Sequence, residues 1–193
     1  MKLSYCLAAL GCAIFFSPVR SFAVEEVNVG DTAPQFSAQA DNDQTWKSTD
    51  HVGKKVLVVY FYPADLTGGC TSQACKFRDD MSSLTDLGVE VIGVSGDTVE
   101  NHKTFKNAHQ LNYTLLADTD GSVAKAFGVP VTVEPKSVTV KVDGKDVTLT
   151  RLATAKRWTF VIDRDGKIIY KNENVKPALD SSEVAQVVKN LKK

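Results

Sequence analysis

One stretch restricts the fold more than any other. In Lys55–Tyr62 (KVLVVYFY), the residues after Lys55 form an unbroken run of aliphatic and aromatic side chains, mostly β-branched or aromatic, and Val89–Ser95 (VEVIGVS) is a second, Val/Ile-rich run. A strand that is apolar on both faces must be buried on both faces, which is the situation of a central strand in an α/β sheet. Pro63 ends the first run, because proline cannot donate to a sheet ladder. Between the runs, Ala74, Phe77, Met81 and Leu84 recur at spacings of three and four, the apolar stripe of a helix, and Gly88 supplies its stop. Lys55–Ser95 therefore reads as a βαβ unit with parallel strands and a right-handed crossover.

The rest of the chain extends this unit. Gly30–Asp50 is turn-rich, with short segments able to pair as a hairpin. Asp97–Gln110 reads as a helix with a polar outer face, Leu115-Leu116 as a short strand, and Ser122 as the cap of a short helix stopped by Gly128. Ser137–Thr150 alternates around Asp143-Gly144, a type I′ turn signal that sets Val140 opposite Val147 and Val138 opposite Leu149. Arg157–Ile162 and Lys167–Tyr170 read as strands, and Ser181–Leu191 as a closing helix. The sum is an α/β domain: a mixed central sheet flanked by helices on both faces, with an inserted β-hairpin near 137–150.

The first 23 residues do not belong to that domain. Lys2, an apolar run from Leu3 to Phe16, and Ser21-Phe22-Ala23 have the layout of a cleavable signal peptide with cleavage after Ala23. The run is short for a transmembrane span, and Ala9-Leu10-Gly11-Cys12 is a poor lipoprotein signal. The expectation is a domain at 24–193, exported to the periplasm or secreted, with no membrane span once mature. The formal net charge of the whole chain is zero, so nothing points to nucleic acid or acidic lipid as a partner.

Cleavage would remove Cys6 and Cys12 and leave Cys70 and Cys75 as the two thiols. In an oxidising compartment such a pair ordinarily ends as a disulfide, either structural or one that turns over. Two cysteines without a paired histidine do not make a zinc site, and His51, His102 and His109 read as solvated. Cys70 falls in the first turn of the helix that follows the buried strand, where free amides and the positive end of the dipole favour a thiolate. Gly68 and Gly69 let backbone amides approach a small oxidant, and Thr67 brings a hydroxyl able to donate to sulfur and accept from a peroxide. Cys75 lies about 140° round the helix from Cys70, off the apolar stripe. In an intact helix their Cα atoms are about 8–9 Å apart, whereas a disulfide needs less than ~7 Å. Bond formation therefore requires the start of the helix to unwind.

Pro63-Ala64-Asp65-Leu66-Thr67-Gly68-Gly69-Cys70 resembles the peroxiredoxin signature Pro-x-x-x-Thr-x-x-Cys, and Cys70-Thr71-Ser72-Gln73-Ala74-Cys75 resembles its bacterioferritin comigratory protein (PrxQ) branch. Phe77-Arg78-Asp79, Leu116-Ala117-Asp118 and Arg157-Trp158-Thr159-Phe160 extend the likeness, which spans about residues 28–191. The resemblance implies a thioredoxin-like fold, no cofactor, a monomer, and reduction of hydrogen peroxide and organic hydroperoxides in redox homeostasis. It implies that Cys70 is the peroxidatic and Cys75 the resolving cysteine, closing a redox-active Cys70–Cys75 disulfide. It further implies that Thr67 and Arg157 activate sulfur and oxidant, that Pro63 shields the pocket, and that thioredoxin or a similar dithiol recycles the enzyme. Two features depart from the branch: Gly68 stands where proline is usual, and the stretch between Val129 and Arg157, which carries the hairpin, is long. The rival readings are an exported thiol–disulfide oxidoreductase, which would use Cys-x-x-Cys, and a non-enzymatic thioredoxin-fold binding protein with a structural disulfide.

Overall fold

The computed structural model of the protein describes residues 26–142 and 144–191. The segment 1–23, read above as a signal peptide, and Asp143 of the hairpin turn lie outside the described residues. The chain runs β1 (Ser37–Ala40), β2 (Thr45–Lys47), β3 (Val56–Phe61), α1 (Gly68–Asp86), β4 (Val89–Ser95), α2 (Val99–His109), β5 (Thr114–Ala117) and α3 (Ser122–Ala126). It continues through β6 (Val131–Val142), β7 (Lys145–Ala155), β8 (Trp158–Ile162), β9 (Ile168–Asn172) and α4 (Asp180–Leu191). Seven strands form one sheet in the order β2-β1-β5-β4-β3-β8-β9, and β6 and β7 pair as a separate two-stranded sheet.

The two apolar runs sit where their composition requires. β3 pairs parallel with β4 and antiparallel with β8, and all six of its residues are buried. Alternate side chains feed opposite layers. Leu57, Val59 and Phe61 pack with Trp46, Phe127 and Phe160 on one face. Val58 and Tyr60 join Phe77, Leu84, Phe105 and Val184 on the other, bringing in α1, α2 and α4. The sheet is mixed and covered on both faces, a thioredoxin-like α/β fold.

The hairpin keeps the register read from its alternation, with Val138 opposite Leu149 and Val140 opposite Val147. It is longer than 137–150: beyond a bulge between Val133 and Lys136, Val131–Val133 pairs with Ala153–Ala155. β7 docks on the main domain at Gly96, whose carbonyl accepts from Leu152 N–H at 2.8 Å. A Cβ at Gly96 would lie 2.2 Å from the Ala153 carbonyl oxygen, so this close approach requires glycine. The cap of α3 also differs from expectation. Gly121, in the left-handed region at φ 68°, is the N-cap residue, and Ser122 is the first residue of the helix. Asp118 does the capping, accepting from Val123 N–H and Ala124 N–H at 2.9 Å each. A carboxylate that reaches two free amides satisfies the helix start better than the adjacent hydroxyl.

Candidate active site

The site is built by the turn between β3 and α1. The strand ends at Phe61, Tyr62 and Pro63 follow it, and Leu66 takes the left-handed conformation at φ 58°, a strained choice for a residue with a large side chain. Its neighbour Asp65 anchors the turn. Asp65 is buried and accepts from Tyr62 Oη at 2.7 Å, while its backbone N–H donates to Asp97 Oδ2 at 2.9 Å. Ser95 Oγ and Asn101 Nδ2 donate to Asp97 as well. His102 completes the cluster with Nδ1 at 2.8 Å from Asp65 Oδ2.

The expectation that His102 is solvated is thus corrected: its side chain is fully buried, because Asp65 and Tyr62 supply polar partners inside the fold. Burial by itself would lower its pKa, but the Asp65 carboxylate, with Asp97 and the nearby Leu116 carbonyl, holds it above the ordinary histidine value. Nε2 nonetheless has no partner at hydrogen-bond geometry among the described residues. His51 remains half-exposed beside Glu90 at 2.8 Å.

Thr67 is the N-cap residue of α1, with φ −89° and ψ 147°. Its hydroxyl donates to the Ala64 carbonyl at 3.0 Å and not to sulfur. The Leu66 turn folds residue 67 back over residue 64, so the hydroxyl proton is committed and its lone pairs are what remain for an oxidant. Cys70 lies in the first turn of α1 with 1% of its surface exposed. Cys75 is half-buried, and both thiols are free. The Cys70 sulfur receives Arg157 Nη2 at 3.2 Å. Arg157 stands immediately before β8, antiparallel to β3, and this pairing brings it back to α1 across 87 positions of sequence.

Two residues that sequence reading missed complete the constellation. Gln73 is fully buried and accepts from Arg157 Nη1 through its Oε1. Its Nε2 donates to Asp180 Oδ2 at 2.7 Å, and Thr159 Oγ1 donates to the same oxygen at 2.8 Å. Gln73 lies three residues after Cys70, on the same helix face; a polar residue on an otherwise apolar stripe was the available signal. Asp180 had none, being 107 positions away. Burial pushes the Asp180 carboxyl up to about 6.

Pro63 and Arg157 face a cavity of about 590 Å³ that the root of the hairpin closes with Pro130, Thr154 and Lys156, and Val175 after β9 adds a further wall. The insertion therefore rims the site through its base. Cys70 and Thr67 do not line this cavity, and the Arg157 guanidinium is what reaches from it to the sulfur. A buried thiol under a guanidinium at a helix N-terminus suits nucleophilic attack on a small polar oxidant.

A match to the AhpC/TSA family covers residues 29–171. Peroxiredoxin Bcp of Bacillus subtilis is 36% identical over 165 residues, 86% of this chain and 97% of that protein. The chain belongs to the AhpC/TSA family of peroxiredoxins. The chloroplastic peroxiredoxin Q of Suaeda salsa is 35% identical over 90% of this chain and 73% of its own. The crystal structure of peroxidoxin BcpB from Mycobacterium tuberculosis superposes with a TM-score of 0.72 at 26% identity, covering 87% of this chain and all of that one. This peroxiredoxin is a thiol-dependent peroxidase of antioxidant defence, an oxidoreductase that takes a peroxide as substrate and a thiol as reductant.

Proposed function

We propose that Cys70 is the peroxidatic and Cys75 the resolving cysteine of this peroxidase. The observation that carries the assignment is Arg157 Nη2 at 3.2 Å from the buried Cys70 sulfur in the first turn of α1. The Cys70 thiolate attacks the terminal oxygen of a hydroperoxide. The O–O bond breaks, the leaving oxygen takes up a proton as alcohol or water, and sulfur becomes sulfenic acid. Arg157 stabilises the thiolate and the charge developing on the peroxide oxygens. Thr67 orients the oxidant through its lone pairs, and Pro63 screens the sulfur from bulk solvent.

Cys75 then displaces hydroxide from the sulfenic sulfur, which leaves as water with the Cys75 proton, and the Cys70–Cys75 disulfide forms. A dithiol of the thioredoxin class reduces it by exchange, one disulfide opening as another closes. The protein works as a monomer and acts outside the cytoplasm after removal of residues 1–23. No helix among the described residues is long and apolar enough to cross a membrane.

Peptide mapping after one equivalent of hydrogen peroxide tests the assignment. The expected product is an intramolecular Cys70–Cys75 disulfide, with Cys75→Ser stopping at sulfenic acid and over-oxidising with excess peroxide. A Cys70→Ser variant that still consumes peroxide at the parent rate would contradict it. The mass of the protein recovered from the periplasm or medium tests the Ala23 cleavage, and light scattering tests the monomer.

A further inference from the structure

Asp180 opens α4 at the junction of α1, β8 and α4, with its side chain fully buried. Its two oxygens are used unequally. Oδ2 accepts from both Gln73 and Thr159, while Oδ1 has no partner among the described residues although it is removed from solvent. A buried, half-satisfied carboxylate costs stability, so this position is held against an energetic penalty.

The consequence lies in Gln73. An amide is a donor at one end and an acceptor at the other, and Gln73 could in principle face Arg157 either way round. Arg157 offers only donors. With the Gln73 NH2 group committed to the Asp180 carboxylate, its Oε1 points at Arg157 Nη1. That leaves Nη2 of the same planar group on the Cys70 sulfur. Three consecutive contacts thus join the first residue of α4 to the reacting atom.

We propose that Asp180 is a positioning residue for the peroxidase reaction, its carboxylate fixing the Gln73 amide in the orientation that holds the Arg157 guanidinium on Cys70. The inference rests on the assignment of Cys70 as the reacting thiol. A neutral carboxylic acid carries its own O–H and can donate to Gln73 Oε1. The amide can then turn and present its NH2 group to a guanidinium that needs an acceptor. Protonation of Asp180 therefore releases Arg157.

The groups facing this carboxyl are Gln73 from α1, Thr159 from β8 and Arg157 at the start of β8. Glu183, one turn on in α4, adds a second acidic group and is itself bonded by Tyr170 and Asn172 of β9. The neighbouring Ser181 hydroxyl donates to Asp80 of α1. Burial outweighs the hydrogen bonds from Gln73 and Thr159 and the weaker pull of Arg157, and places the transition at about pH 6.

Stopped-flow measurement of the second-order rate constant for oxidation of Cys70 by hydrogen peroxide, from pH 5 to 8, tests this on the full-length protein and its variants. Asp180→Ala frees the Gln73 amide and is expected to slow the reaction at pH 7 by about tenfold, equivalent to about 1.4 kcal/mol in the barrier. Asp180→Asn cannot titrate, and its NH2 group, like the O–H of the neutral acid, can donate to Gln73 Oε1. It should react across the whole range at the slow rate of the acidified parent and show no step near pH 6. Gln73→Ala should slow the reaction as much as Asp180→Ala, and the double variant should be no slower than either single one.

Parent-like rates and an unchanged pH profile in Asp180→Ala would overturn the proposal. So would additive losses in the double variant or a persisting step near pH 6 in Asp180→Asn. Failure of the parent protein itself to react would instead refute the assignment of Cys70, which separates the two conclusions.

Discussion

Oxidation of this peroxiredoxin should melt the first two turns of α1, and the extent can be worked out from the structure. Cys70 and Cys75 are five positions apart inside one helix, at a Cα separation of about 8–9 Å for regular geometry, too far for a disulfide. Closing the bond requires the backbone to leave helical geometry over Gly68–Cys75. The helices α1–α4 hold 19, 11, 5 and 12 residues, and that segment is 8 of these 47, so helical ellipticity at 222 nm should fall by about one-sixth.

Contacts anchored in the segment go with it. These are the Arg157 bonds to Cys70 and Gln73, the Gln73 bond to Asp180, and the Tyr113 hydroxyl bond to the Ala74 carbonyl at 3.1 Å. Amides of Thr71 to Asp79, whose helical acceptors are the carbonyls of residues 67–75, should lose protection. Hydrogen exchange read by mass spectrometry on the reduced and peroxide-oxidised protein gives the result directly. Equal protection across Thr71–Asp79 in both forms, with unchanged ellipticity, would refute the reasoning.

Three further outcomes follow from the same geometry. Arg157→Lys keeps the charge but loses the planar fork that spans Cys70 and Gln73, so the rate of Cys70 oxidation should fall by about 100-fold in stopped-flow assays, the order of one lost oriented donor. Gly68→Pro should raise stability by about 0.5–1 kcal/mol in urea titrations of the reduced protein. Proline is favoured at the first position of a helix, a Cβ at Gly68 meets nothing within 4 Å, and Thr67 already has the extended backbone proline requires of its predecessor. The buried Asp180 makes stability pH-dependent. Its carboxyl is raised from 3.8 to about 6, so the folded state binds a proton more tightly than the unfolded one. This contribution to stability is therefore present below about pH 4 and is lost as pH rises through about 6, amounting to about 3 kcal/mol at ~1.4 kcal/mol per decade. Urea titrations from pH 4 to 7.5 should show a decline that Asp180→Asn flattens.

Much of the fold was legible because it is written in local pattern. The double-sided run of β3, the α1 stripe and the alternation of β6 and β7 are each set by neighbours within a few positions, and all appear in the structure with the expected pairings. The extension of the hairpin to Val131 and Ala155 was hidden by the bulge at Val133/Lys136, which breaks the alternation. The α3 cap was misassigned because Asp118 reaches past Ser122 to amides five and six residues on.

In the site, Cys70, Cys75, Thr67 and Pro63 lie on one contiguous segment that local reading could locate. Arg157 needed family likeness, since only the β3–β8 pairing brings it to the sulfur. Gln73 showed only as a polar break in the α1 stripe, and its partners, like those of His102 and Asp180, were out of reach for a common physical reason. Each of the three is a polar side chain made tolerable in the interior by partners 21 to 107 positions away, and no periodicity records such a pairing.

The central claim is that Cys70 is a peroxide-reactive thiol activated by its surroundings. The most direct measurement is the stopped-flow rate constant of the reduced protein with hydrogen peroxide at pH 7, set beside that of a free thiol and of Cys70→Ser. The structure predicts a reaction orders of magnitude faster than the free thiol and abolished in Cys70→Ser. A rate no faster than the free thiol, or one that survives the loss of Cys70, would contradict it.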